Sequence, residues 1–170
     1  GKSTQGNLLK KKLKIPYLST GHIFRELAKE RTPLGRYIKE TMNAGYLISD
    51  EKTLEIVAEY LSRKEYKKGY ILDGFPRTAN QAEAFGNGID KVIYLEVSDK
   101  EALWRLSYRG EEGSEREDDT LRAIRKRIEL FHNFTRPVLD YYKKKRKLIS
   151  INGEQSIPKI NKEILTKLKV

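Results

Sequence analysis

The sequence predicts an α/β fold in which a central parallel sheet is flanked by helices. Three observations carry that prediction. Short apolar stretches, several rich in branched and aromatic residues, alternate with helical stretches along the chain. Two of the apolar stretches end at a polar residue followed by glycine, Asp73-Gly74 and Asn152-Gly153. The chain also opens Gly1-Lys2-Ser3-Thr4, the second half of a phosphate-binding loop, and runs straight into a helical stretch. Strands separated by helices pair in parallel. A length of 170 residues fits one domain, 1–170, and no internal repeat or low-complexity linker divides it.

The elements follow in order. Asn7 to Lys12 is helical and continues from the opening loop, and Ile15 to Leu18 is a short strand. Ser19 or Thr20 caps a helix running to about Arg31. Pro33 suits the first turn of the next helix, which runs to about Asn43 and is closed by Gly45. Ser49 and Asp50 start another, with Leu54, Val57, Ala58 and Leu61 at helical spacing. Tyr70 to Leu72 is a strand, and Val92 to Val97 is the clearest strand of all, β-branched and aromatic. Helices are predicted over Lys100 to Tyr108, Asp119 to Lys144 and Pro158 to Leu168, with a strand from Leu148 to Ile151. Between them, 110–115 holds glycines and charges with no apolar residue, and reads as a solvent-facing flap between Arg109 and Arg116.

Composition narrows the chemistry. No run approaches the roughly 20 apolar residues of a membrane span, so no membrane partner is expected. The absence of cysteine excludes disulfides, thiolate catalysis and cysteine zinc sites, and fits a reducing, cytoplasmic setting. Lys and Arg number 35 against 24 Asp and Glu, a formal net charge of +11 that attracts polyanions, nucleic acid and nucleotide phosphates among them. The run Lys143 to Lys147 reads first as a solvated cluster complementing a helix dipole, ahead of nucleic-acid binding. No helix-turn-helix or RNA-recognition motif accompanies it.

Backbone amides at a helix start bind phosphate oxygens with help from the helix dipole. Lys2 can reach terminal phosphates, and Ser3 or Thr4 can meet a phosphate oxygen or Mg²⁺. GKST alone occurs at many helix starts. A full loop of this kind follows a strand, so a strand and the first loop glycine are expected upstream of Gly1.

Three further stretches complete a pattern: Tyr17-Leu18-Ser19-Thr20-Gly21 leading to Arg25; Asp73-Gly74-Phe75-Pro76-Arg77-Thr78 with Gln81; and Arg105, Arg109, Arg116, Asp118, Asp119 and Arg127 around the flap. In this order they resemble the adenylate kinase family of nucleoside monophosphate kinases, over essentially the whole chain. The resemblance implies a P-loop kinase fold with an acceptor-binding helical insertion at 19–48 and a short lid at 109–117. It implies ATP and AMP as substrates, Mg²⁺ with ATP, no zinc, and a monomer. Lys2, with Gly1, Ser3 and Thr4, would contact the ATP phosphates. Arg25 and Arg77 would clamp the monophosphate, and Arg116 and Arg127 would bridge to the transferring group. Arg105 would lie over the donor base, Arg109 near its phosphates, and Asn152 to Gln155 beside the adenine. Thr20, Gln81, Gly74 and the backbone of Tyr46, Leu47 and Ile48 would take AMP. Asp73 would hold Mg²⁺ through water.

Each residue also has a plainer reading: Arg25 and Arg127 as surface helix arginines, Asp73 as a turn residue, Gln81, one helical turn beyond Arg77, as a surface helix residue, Asp118-Asp119 as a helix cap. Two departures from the commonest family pattern stand out. His22 occupies the place of an Asp, and only six residues separate Arg109 from Arg116, too few for a separate lid domain. UMP/CMP kinases share the short flap. Thr20, where they usually carry Ala, favours AMP.

Overall fold

The computed structural model describes residues 1–108 and 120–170. The flap residues 109–117, with Arg109, Arg116, Asp118 and Asp119, lie outside the described residues.

Parallel strands are flanked by helices, as the sequence predicts. Helix α1 (Lys2–Leu13) leads to β1 (Tyr17–Ser19), α2 (Thr20–Leu27), α3 (Pro33–Asn43), α4 (Asp50–Leu61), β2 (Ile71–Asp73) and α5 (Ala79–Phe85). There follow β3 (Val92–Glu96), α6 (Asp99–Ser107), α7 (Leu121–Leu130), α8 (Arg136–Lys144), β4 (Leu148–Asn152) and α9 (Ile157–Leu168). Among the described residues the strands form two parallel ladders. β1 pairs with β2 in the register Tyr17–Ile71 to Ser19–Asp73, and β3 with β4 in the register Val92–Leu148 to Glu96–Asn152.

Alternation along the strands sorts the core into layers. Ile93, Leu95, Ile149 and Ile151 join Leu9 of α1 with Ile160 and Ile164 of α9. Val92 and Leu148 point the other way, onto Ala82, Val138 and Tyr142. A third cluster joins Leu18, Ile23, Ile38, Ile48 and Ile56 beneath the short β1–β2 ladder. Burying one such aliphatic side chain contributes about 1.5–3 kcal/mol.

Among the described residues six helices start on a Ser or Thr whose side chain accepts a backbone amide: Ser19, Thr32, Ser49, Thr78, Ser98 and Thr120. Each such cap is worth about 1 kcal/mol.

Several boundaries differ from the sequence prediction, β1 among them at Tyr17–Ser19 rather than Ile15 to Leu18. α2 stops at Leu27, not Arg31, because Gly35 brings α3 against the carbonyls of Leu27 and Glu30. α5, expected only as a helical turn leading to Gln81, extends over Ala79–Phe85 and is capped by Thr78. The long helix expected over 119–144 widens to a π-turn at Phe131–Thr135 before α8. Pro137 has no N–H to give the carbonyl four residues back, so the α-helical ladder lacks a bond there.

Candidate functional site

The site is assembled where β1 and β2 finish. Asp73 is the last residue of β2, opposite Ser19 in the ladder. Its Oδ2 accepts the Tyr17 hydroxyl at 2.6 Å and the Ser3 hydroxyl at 3.3 Å, and its carbonyl accepts the Thr20 hydroxyl at 3.1 Å. One aspartate thus ties the first turn of α1, the end of β1 and the start of α2. The sequence pattern includes Tyr17 but gives it no role. Burial, and then its bond to Asp73, pushes its phenol pKa up to about 12, so it remains a donor at neutral pH. The Tyr17 ring lies so close over α1 that any side chain at Gly6 would strike it. That close approach explains the second glycine of Gly1-Lys2-Ser3-Thr4-Gln5-Gly6.

The turn after β2 aims Arg77. Gly74 has φ +85°, which favours glycine, and a Cβ there would stand 2.6 Å from Thr20 Oγ1 and 3.2 Å from Arg77 Nη2. Arg77 Nε donates to Gly74 O at 2.8 Å, and its amide to Gln81 Oε1 at 2.7 Å. Its carbonyl accepts Thr135 Oγ1 at 2.9 Å, from inside the π-turn. Gln81 is buried rather than a surface residue, and its Nε2 donates to Asp50 Oδ1 at 2.8 Å, where Thr78 Oγ1 also donates at 2.9 Å. Both ends of the Gln81 amide are therefore engaged by protein.

The other expected residues lie on several elements. Gly1 caps α1, and Lys2, Ser3 and Thr4 form its exposed first turn. A Cβ on Gly1 would stand 3.8 Å from Leu95 of β3. Arg25 lies on α2, its guanidinium 3.4 Å from a Cβ built on Gly21. Tyr46 is exposed with Lys126 Nζ 5.1 Å from its ring centre, Leu47 is half-buried, and Ile48 places its side chain in the core. Arg127 is half-buried on α7. His22 is exposed, its amide bonded to Ser19 Oγ.

A second group forms where β3 and β4 finish. Gly153 N donates to Glu96 O at 2.8 Å. Arg105 reaches from α6 to Gly153 O at 2.9 Å while its Nε bonds Glu101 at 2.5 Å. Glu154 accepts both the amide and the hydroxyl of Ser98 at 2.8 Å, which holds its carboxyl below the usual range. Gln155 Nε2 bonds Asn152 O at 3.2 Å and Glu163 Oε2 at 3.0 Å. Arg105 and Gln155 therefore bond neighbouring carbonyls of the Asn152-Gly153 turn. A cavity of about 520 Å³ opens elsewhere, against Tyr94, Asp99, His132, Arg136 and Ser150, and none of the expected site residues lines it.

The donors around Asp73 are all oxygen. Mg²⁺ prefers such ligands and is held through one or two carboxylates plus substrate phosphates and water. A single carboxylate beside the Ser3 hydroxyl fits that habit, and among the described residues no cluster of three or more His, Cys, Asp or Glu could form a protein-only cage.

Parallel strands with a phosphate-loop helix start, a carboxylate and an oriented arginine at their C-terminal ends define a nucleotide-binding phosphotransferase. Comparison with known proteins narrows this. The adenylate kinase family model matches residues 1–147. The adenylate kinase of Caldicellulosiruptor bescii is 39% identical over 203 aligned positions, covering 100% of this chain and 94% of its own. Adenylate kinase 1 of a Nostoc species is 39% identical over 171 positions, covering 96% and 90%, and the adenylate kinase of Treponema denticola is 38% identical, covering 94% and 90%. The chain belongs to the adenylate kinase family.

Proposed function

We propose that this chain carries out reversible phosphoryl transfer from ATP to AMP, giving two ADP. An AMP phosphate oxygen attacks the γ-phosphorus, and the bond from that phosphorus to the β,γ-bridging oxygen breaks, so ADP leaves. The attacking oxygen is already largely ionised, with a second pKa of about 6, so no general base is required. Catalysis is then positioning and charge neutralisation. The observation that carries the proposal is the agreement of family membership with the Asp73–Ser3–Tyr17 and Arg77–Gly74–Gln81 geometry.

Lys2 and the amides of Gly1 to Thr4 hold the ATP phosphates. Arg77 and Arg25 hold the AMP phosphate, and Arg116 and Arg127 bridge to the moving group. Arg105, Arg109 and the Gln155 turn take the donor side. Asp73, with Ser3 or Thr4 nearby, would hold Mg²⁺, which would supply charge neutralisation on the phosphates. Thr20, Gln81, Gly74 and the backbone of Tyr46, Leu47 and Ile48 surround the AMP base. The Thr20 hydroxyl spends its proton on Asp73 O, leaving lone pairs that suit an exocyclic amine. Insertion 19–48 and lid 109–117 close over the substrates and exclude water. The Caldicellulosiruptor alignment needs 203 positions against 170 residues, whereas the Nostoc alignment needs 171, which supports a chain short of one long insertion. The protein acts as a cytoplasmic monomer.

A coupled assay of ADP formation from ATP with AMP, CMP or UMP tests this. AMP should be the preferred acceptor at equal low concentration. Faster turnover of CMP or UMP would replace the AMP assignment, and no turnover with any acceptor would remove the enzymatic one.

A further inference from the structure

The charge excess of this chain is concentrated at one end of the molecule. Hydrogen bonds bring the four strand entrances together there. Ile71 N donates to Pro16 O at 2.8 Å, Tyr70 OH to Gly88 O at 2.9 Å, Lys147 Nζ to Ile89 O at 2.5 Å and Val92 N to Lys147 O at 2.9 Å. α1 and α9 end on the same side, where Leu13, Leu165 and Leu168 share one apolar cluster. Asp73, Gly74 and Gly153 lie at the other end, where the strands finish.

Segments 10–14, 63–68, 90–91, 143–147 and 167–169 meet at the entrance end. Together they hold 16 of the 35 Lys and Arg residues but only 2 of the 24 Asp and Glu. That is +14 on this end and −3 on the rest, against +11 for the whole chain. Every basic residue in these segments except Lys147 is exposed. Ion pairs offset two of them in part, Arg63 with Glu59 and Lys167 with Glu163. The run Lys143 to Lys147, taken alone, reads as a solvated helix end. Its convergence with four other basic segments does not follow from one helix dipole, which acts only over its own last turn.

We propose that this end docks the protein reversibly on a lipid bilayer bearing anionic headgroups, with the site at the strand finishes facing away from it. Polybasic surfaces are drawn to anionic leaflets roughly in proportion to the number of Lys and Arg near the surface. The composition favours a bilayer over nucleic acid. Of the 16 cations, 14 are Lys, compact point charges that act through their field rather than through paired hydrogen bonds. Binding of single-stranded nucleic acid also draws on aromatic platforms for base stacking. The exposed large aromatics Tyr37, Tyr46, Trp104, Tyr108 and Phe134 all lie outside the five segments. Surface docking needs no membrane-spanning helix, and none of the described helices is long and apolar enough to be one. The expectation of no membrane partner rested on spans alone.

Cosedimentation of the full chain with vesicles tests the proposal. Binding is expected to phosphatidylcholine vesicles containing phosphatidylglycerol, not to pure phosphatidylcholine, at about 0.15 M salt, and should weaken as salt rises further. The combined variant Lys10→Glu, Lys12→Glu, Lys143→Glu, Lys144→Glu should lose at least about a hundredfold in vesicle affinity, with an unchanged melting temperature and unchanged turnover in solution. A second variant reversing Lys29, Arg31, Arg36 and Lys39, on and before α3 and away from this end, should keep vesicle binding. No binding at about 0.15 M salt, equal binding by the first variant, or single-stranded RNA bound more tightly than the anionic vesicles would each overturn it.

Discussion

The β1–β2 and β3–β4 halves of the molecule finish their strands in different ways. β1 and β2 are three residues each and end in a side-chain network, with Ser3, Tyr17 and Thr20 all bonded to Asp73. β3 and β4 are five residues each and end in a backbone latch, Gly153 N on Glu96 O, with Arg105 fastened to the Gly153 carbonyl. The first half sets the direction of charged groups through side chains, so single substitutions there should reach turnover. The second sets a wall through main chain, so substitutions there should reach donor affinity.

The largest expected effect is in the first half. Arg77→Ala removes a guanidinium bonded to Gly74 O, on a main chain that Gln81 and Thr135 hold. Turnover should fall about a thousandfold, with little change in melting temperature. Turnover near the parent's would break the comparison at its centre. Asp73→Asn should follow, with a loss of about a hundredfold and a raised Mg²⁺ requirement. Titration calorimetry of metal-free ATP should give nearly the same affinity as the parent. If metal-free binding falls as far as turnover, Asp73 acts on the fold and not on the metal.

The two halves also differ in how far the sequence exposed them. The β-branched and aromatic run Val92 to Val97 and the turn at Asn152-Gly153 announced β3 and β4, which extend over Val92–Glu96 and Leu148–Asn152. Asp73, Gly74 and Arg77 were legible because a local run, DGFPRT, carries them. Tyr17 was not, because a lone tyrosine in a three-residue strand looks like packing until the fold brings Asp73, 56 residues away, to its hydroxyl. Thr135 was hidden for a similar reason. It reaches Arg77 from inside a π-turn, which helical periodicity does not reveal, although Pro137 marked the weak point. Gln81 was foreseen as a ligand contact; its bond to the Arg77 amide is local, but its partner Asp50 is brought to it by long-range packing that no local pattern encodes.

Arg105→Ala sharpens the contrast from the other side. It deletes the link from α6 to Gly153 O without touching Asp73. The KM for ATP should rise roughly fivefold, with kcat and the KM for AMP nearly unchanged. A fall in kcat with unchanged KM would place Arg105 with the first half.

The finest test compares two tyrosines, one in each half. Burial, and then the Asp73 carboxylate, raises Tyr17 to about 12, and burial, and then the neighbouring Tyr141, raises Tyr142 to about 12. In the unfolded chain both phenols ionise near pH 10, so above that pH the folded state holds more protons than the unfolded. Stability should therefore be flat below about pH 10 and fall between about pH 10 and 12. Thermal melts across that range should show the decline, and Tyr17→Phe and Tyr142→Phe should each make it shallower. At neutral pH the two variants should part. Tyr142 OH is buried with no hydrogen-bond partner among the described residues, so Tyr142→Phe removes an unsatisfied group and should leave the melting temperature equal or higher. Tyr17→Phe leaves Asp73 Oδ2 without its closest donor and should lower turnover about tenfold, whereas Tyr17→His, which keeps a ring donor, should recover part of it. Equal turnover in Tyr17→Phe and the parent would mean that Ser3 and the backbone alone aim the carboxylate.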